Sequence, residues 1–183
     1  MNPVINVLVW ATYFIGLYFA IFWLYSFLER YEVFRWESQG ASARKLRRFP
    51  KVSVIIPAYN AASTIKDCVL SAANLNYPKD RLEIIVVNDG SADSTARIVS
   101  ELIGSSKNGG ASECASIKLV NQGNMGKGVA VNNGLRLCSG EFFACLDSDS
   151  FVEPETLVKM LCVFEQHGPD LSIVTPAMKV FRP

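Results

Sequence analysis

The sequence predicts an α/β fold: a mostly parallel sheet with helices on both faces, preceded by one apolar transmembrane helix. Three observations predict it. An uncharged run of 25 residues, Val4 to Leu28, lies near the start of the chain. Beyond Pro50, short apolar runs alternate with helical segments. Those runs are apolar throughout instead of alternating with polar residues, as expected of strands buried on both sides of a parallel sheet.

The first run, as a helix, would be roughly 37 Å long at 1.5 Å per residue, enough to cross a hydrocarbon core of about 30 Å with some tilt. A cleaved signal peptide fits poorly: no basic residue precedes the run, it is too long for such a segment, and no small-x-small site closes it. Arg30, Arg35, Arg44, Lys45, Arg47, Arg48 and Lys51 all follow it. The positive-inside rule therefore places the rest of the chain in the cytoplasm. The cluster "ARKLRRF" (43–49) reads either as a solvated linker or as a contact for anionic headgroups.

The remaining elements follow in order. "VSVII" (52–56), "LEIIVV" (82–87), "IKLV" (117–120) and "EFFACL" (141–146) are expected strands, with "SIVTPA" (172–177) as a candidate fifth. Helices are expected over about 64–73, 94–103, 127–137 and 154–164. The glycine-rich stretch 104–116 reads as a loop.

Bulk properties exclude several classes. The formal net charge of +1 gives no broad nucleic-acid face. Cys68, Cys114, Cys138, Cys145 and Cys162 form no C-x-x-C pair and no metal-like spacing with the single His167. They are expected to be reduced, mostly buried thiols, and zinc is not expected. His167, in a polar turn after a helix, reads as a surface residue. A P-loop and a G-x-G-x-x-G fingerprint are both absent, which disfavours a kinase or dehydrogenase reading.

In open parallel sheets, ligands bind beyond the carboxyl ends of the strands. "PAYN", "NDGSADST", "NQGNMGKG" and "DSDS" follow strands one to four and so collect along one edge. Asp147 and Asp149, two apart at a strand end, suit a hard divalent cation, Mg²⁺ or Mn²⁺, that fills its other sites with water and phosphate oxygens. Such an ion would offset charge on a departing diphosphate. The alternative for the pair is an Asx turn and helix cap. Asp89 can accept hydrogen bonds from a base or ribose, or cap the following helix. Gly126, Lys127 and Gly128 offer backbone N–H groups and a cation for phosphate, or a plain glycine turn. Pro57, Tyr59 and Asn60 shape the wall of a base pocket, or simply a turn.

"VSVIIPAYNAASTI", "IIVVNDGSADST", "NMGKGVAVNNGL" and "FFACLDSDSFVEPETL" resemble, in order, the opening segments of family 2 glycosyltransferases over about Val52 to Arg182. The resemblance implies a GT-A (Rossmann-like) fold, a nucleotide-diphosphate sugar donor with a UDP-sugar favoured, a divalent metal, and inversion at the anomeric carbon. By position it implies that Pro57, Tyr59, Asn60 and Asp89 contact the nucleoside and that Lys127 lies near the donor. It further implies that Asp147 lies by the ribose and sugar, and that Asp149 binds the metal on the diphosphate, with Asp147 beside it.

The chain looks most like membrane-bound synthases of poly-N-acetylglucosamine, hyaluronan and chitin, with a weaker resemblance to polyprenyl-phosphate sugar transferases. The acceptor would be a saccharide or a lipid-linked molecule. The family often carries an acid after P-x-Y-N, where this chain has Ala61 and Ala62. Its general base and Q-x-x-R-W motif are expected beyond Pro183. The expected organisation is a membrane helix (1–29), a basic juxtamembrane linker (30–50) and a nucleotide-sugar-binding domain incomplete at its C-terminus (51–183). Two readings follow: a membrane-anchored transferase acting in polysaccharide or glycolipid synthesis, or a tethered nucleotide-sugar-binding module that does not turn over alone.

Overall fold

A computed structural model describes residues 3–38, 46–108, 115–168 and 171–176. The chain forms two compact units, residues 1–45 and 46–183.

The first unit contains helix α1 (Pro3–Ser38). Its Pro3–Leu28 stretch is long and apolar enough to cross a membrane, and Val4, Leu8, Ile15, Phe22 and Leu28 are all exposed. A helix apolar all round needs either a protein core or lipid about it. Thr12 bonds its hydroxyl back to the carbonyls of Leu8 and Val9, at 3.1 and 2.8 Å, as a hydrocarbon environment requires of a polar group. The backbone stays helical through residues 30–38, expected as linker. No glycine or proline interrupts Glu29–Ser38, so propagation, which is cheap once a helix exists, carries on past the apolar run.

The second unit holds strands β1 (Val52–Ala58), β2 (Leu82–Asp89), β3 (Ser116–Gln122) and β4 (Phe142–Cys145) with helices α2 (Ile65–Ala73), α3 (Thr95–Asn108), α4 (Lys127–Leu137) and α5 (Thr156–His167). The sheet is parallel, in the order β3-β2-β1-β4. β1 and β2 are buried along their whole length.

Strand parity sorts their side chains between two layers. Val52, Val54, Ile56, Ile84 and Val86 meet Ile65, Val69, Val99, Leu157 and Leu161 from α2, α3 and α5. Ile55, Ile85 and Val87 meet Ala130 of α4 on the other face. Gly134 sets that approach: a Cβ there would lie 2.5 Å from Ile55 Cγ2. Only a residue without a side chain lets the helix sit this close.

Three expectations are corrected. Coverage on both faces holds for β1 and β2, not for the edges: β3 alternates, and Phe143 and Cys145 of β4 are exposed, because α4 lies over the central pair. Residues 172–176 of the candidate fifth strand are not strand, and β4 is the outer strand of the sheet. Pro176 has no N–H for a ladder, which disfavours a strand there; residue 177 lies outside the described residues. Finally, residues 104–108 of the expected loop belong to α3, while 109–114 lie outside the described residues.

Of the cysteines, Cys68 and Cys162 are buried, Cys138 is half-buried and Cys145 is exposed; Cys114 is outside the described residues. Burial is therefore less general than expected. His167 is exposed at the end of α5.

Of the basic cluster, residues 43–45 lie outside the described residues. Leu46 is buried. The backbone N–H groups of Arg47 and Arg48 donate to Glu165, and the Arg48 guanidinium donates to both oxygens of Glu141 at 2.8 Å. This end of the cluster is fastened to its own domain.

Candidate functional site

The carboxyl ends of β1, β2 and β4, with the start of α4, border an open cavity of about 230 Å³. Its walls include Pro57, Tyr59, Asp89, Lys127, Asp147, Ser148 and Asp149. Six of the seven expected site residues thus meet in one place.

Pro57 opens this space. The β1–β4 ladder runs to Cys145, and Leu146 still donates to Ile55 O at 2.9 Å. In a parallel ladder the next bond would come from the N–H of residue 57, and proline has none. The two strands part there, and the chain from Asp147 onward turns away. Ser150 N–H closes a turn on Asp147 O at 3.0 Å.

Asp147 and Asp149 are exposed on that turn. Lys127 Nζ sits 2.7 Å from Asp147 Oδ1, and this hydrogen bond raises the lysine's pKa above its ordinary value, keeping it cationic. Ser150 Oγ lies 3.3 Å from Asp149 Oδ1. Among the described residues, no cluster of three or more His, Cys, Asp or Glu could hold a metal ion unaided. Two exposed hard carboxylates fit an ion that draws its other oxygens from water and a phosphate.

Asp89, although in the cavity wall, is buried and already engaged. It accepts from Met125 N–H, Gly126 N–H and Gln122 Nε2, each at 2.8 Å. These bonds, the one from Met125 N–H foremost, outweigh burial and hold its pKa below the usual carboxylate range. In this structure the carboxylate organises the "GNMG" turn. Gly126 N–H, expected as a phosphate donor, is spent on it. Gly90 lets β2 deliver Asp89 there: it has φ +70°, and a Cβ would lie 2.6 Å from Asn124 N.

Asn60 is the expected residue that does not line the cavity. With φ 49°, it receives Ala92 N–H on its side-chain oxygen at 2.9 Å and donates its own N–H to Ser91 Oγ at 3.0 Å. Ala61 N–H goes to Thr95 Oγ1 and Ala62 N–H to Asp93 Oδ2. The loops after β1 and β2 are stitched together, which fixes the wall that carries Tyr59.

Sequence reasoning missed three participants. Gln122 donates to Asp89 and accepts from Asn133 Nδ2 at 2.7 Å; its place at the end of a strand, level with Asp89 in register, was the available signal. Cys68 donates its thiol to Asp147 O at 3.3 Å. Burial, with Asp149 and Asp147 nearby, pushes that thiol up to about 12. Ser71 receives Val152 N–H. Nothing in the spacing of α2 distinguishes Cys68 or Ser71 from core filling.

The family profile described as Glycosyl transferase family 2 matches residues 53–179. The chain belongs to that family. Chondroitin synthase of Escherichia coli is 38% identical over 128 residues, 70% of this chain and 17% of that protein. A poly-beta-1,6-N-acetyl-D-glucosamine synthase of Staphylococcus epidermidis is 30% identical over 173 residues, 94% of this chain and 39% of that protein.

Among solved structures, S. aureus TarS 1-349 in complex with UDP-GlcNAc aligns with a TM-score of 0.55 at 31% identity, over 64% of this chain and 32% of that one. The mannosyltransferase PcManGT of Pyrobaculum calidifontis, in complex with GDP-Man and Mn²⁺, aligns with a TM-score of 0.60 at 27% identity, over 75% of this chain and 39% of that one. The fold is therefore GT-A, and this chain spans well under two thirds of each relative's length.

Proposed function

We propose that residues 46–183 form the donor-binding part of a glycosyltransferase, anchored in a membrane by Pro3–Leu28, that moves a sugar from a nucleotide diphosphate to an acceptor hydroxyl. The observation that carries this reading is the meeting of Pro57, Tyr59, Lys127, Asp147 and Asp149 in one cavity at the strand ends. Complexes of related proteins with UDP-GlcNAc and with GDP-Man and Mn²⁺ support a nucleotide-sugar donor. Relatives that build polysaccharides support a role in polysaccharide or glycolipid synthesis at the cell surface.

Each group has a task. Tyr59, half exposed, offers a face on which a base can stack. Asp89 holds the turn that presents Lys127, and Lys127 supplies positive charge to the diphosphate. Asp149 and Asp147 would hold Mg²⁺ or Mn²⁺, which when bound stabilises negative charge on the leaving group. The acceptor oxygen bonds to the anomeric carbon from the side opposite the diphosphate, the carbon–oxygen bond to the diphosphate breaks with its electron pair, and configuration inverts. The acceptor proton passes to a base that is not among the residues assigned to the cavity.

Titration calorimetry of the whole chain in detergent, with UDP and GDP and with and without Mn²⁺, tests the reading. Metal-dependent binding of either nucleotide is expected; no binding of both under every condition would overturn it. The basic flank supports a cytoplasmic orientation for the domain. A tag after Pro183 should be inaccessible on intact cells, and labelling from outside would reverse that orientation.

A further inference from the structure

Resting on that reading of the acidic pair, we propose that Cys68 and Ser71 of α2 are positioning residues for Asp147 and Asp149. Phe151, the aromatic residue after the turn that carries the two acids, is exposed. Beside the Lys127–Asp147 pair and the Ser150 bonds, the turn is held by hydrogen bonds from one helix and the loop that follows.

Cys68 is fully buried, and its Sγ–H donates to Asp147 O at 3.3 Å. That carbonyl also receives Ser150 N–H at 3.0 Å, so the thiol occupies the remaining lone pair and fixes the peptide plane from which the turn departs. Ser71 stands three residues on, on the same face of the helix. Its Oγ donates to Cys68 O at 2.8 Å and accepts Val152 N–H at 3.3 Å. Farther along, Asn76 N–H donates to Pro154 O at 2.9 Å and the Asn76 side chain bonds Glu155.

Asp149 therefore sits between two anchors, at 147 and 152, that both come from α2. The helix is itself set in the core by Ile65, Val69 and Ala72. A rigid element thus determines where two exposed carboxylates stand, which an exposed turn could not do alone.

Cys68→Val, Cys68→Ser and Ser71→Ala in the full chain test the proposal, with Mn²⁺-dependent affinity for UDP and GDP measured by calorimetry beside the thermal midpoint. Valine removes the donor with a slightly larger apolar side chain, and serine keeps the donor in less space. Removing one such bond is expected to weaken metal-dependent binding about two- to tenfold. Cys68→Val and Ser71→Ala should show that loss while metal-free nucleotide affinity stays at the wild-type value, and Cys68→Ser should recover most of it.

Should valine bind as wild type and serine bind poorly, or should all three variants bind as wild type whatever their midpoints, Cys68 and Ser71 are core filling and the proposal is overturned. Absence of metal-dependent binding in the wild-type chain would instead overturn the reading of the acidic pair, and this proposal with it.

Discussion

The two ends of the sheet treat carboxylates in opposite ways. At the amino end, Glu83 is buried and receives Ser53 Oγ at 2.7 Å, Lys118 Nζ at 2.5 Å, and Ser139 N–H and Oγ at 3.1 and 3.0 Å. Gly140 N–H closes the group on Ser53 Oγ at 3.0 Å. Both carboxylate oxygens face donors, and the cluster ties β1, β2, β3 and the turn before β4 together. At the carboxyl end, Asp147 and Asp149 stand exposed, with one lysine and one serine near them. A satisfied buried acid stabilises a fold; exposed acids grouped on a fixed turn are available to a ligand.

That contrast can be broken in order of expected size. Asp149→Asn should lower metal-dependent nucleotide affinity by at least about a hundredfold, close to 3 kcal/mol, with an unchanged thermal midpoint. A parallel loss of midpoint would place Asp149 among the structural acids.

Glu83→Ala should do the reverse, costing about 2–3 kcal/mol of stability because Lys118, Ser53 and Ser139 lose their acceptor, while binding below the midpoint survives. Acid gives the same test without mutation. Burial alone would raise the Glu83 pKa, but donation from Lys118, Ser53 and Ser139 outweighs it and holds the group at about 2. A depressed folded value means its contribution is complete above the ordinary carboxylate range and is lost as pH falls through that range toward 2. Acid unfolding of Glu83→Ala should therefore lack this component.

Lys127→Ala should weaken nucleotide diphosphate binding about tenfold while strengthening binding of Mn²⁺ alone, because Asp147 loses its competing cation. Equal movement of both affinities would remove Lys127 from the donor site. Smallest is Arg48→Ala: its pair with Glu141 is exposed on both sides, so thermal unfolding should register less than about 0.5 kcal/mol.

Much of this was legible in the sequence, and the reasons differ by residue. Strand runs and the clusters that follow them are local, and parallel topology turns local order into spatial convergence; hence Asp147, Asp149, Lys127 and Tyr59 were found together. Asp89 lines the same cavity, but its engagement with Met125 and Gly126 depends on the path of a turn more than thirty residues away, which spacing does not encode. Glu83 and Cys68 were passed over because a single polar residue within an apolar segment has the same local pattern whether it packs idly or bonds across the domain. Edge exposure at Phe143 was misjudged for a similar reason: apolar content says that a strand can be covered, not that a helix lies over it.

Pro57 carries one more lesson. Two neighbouring strands of matching hydrophobicity tend to zip until something stops them, and here the stop is a hydrogen atom that the chain does not carry. Any other residue at 57 would offer that hydrogen to the Leu146 carbonyl and invite the seam to close by another step, drawing the acidic turn inward and narrowing the gap. The opening at the strand ends thus comes from a bond the backbone is unable to make. A search for side chains that grip a substrate would credit Pro57 only with its ring, when its larger contribution is as a wedge.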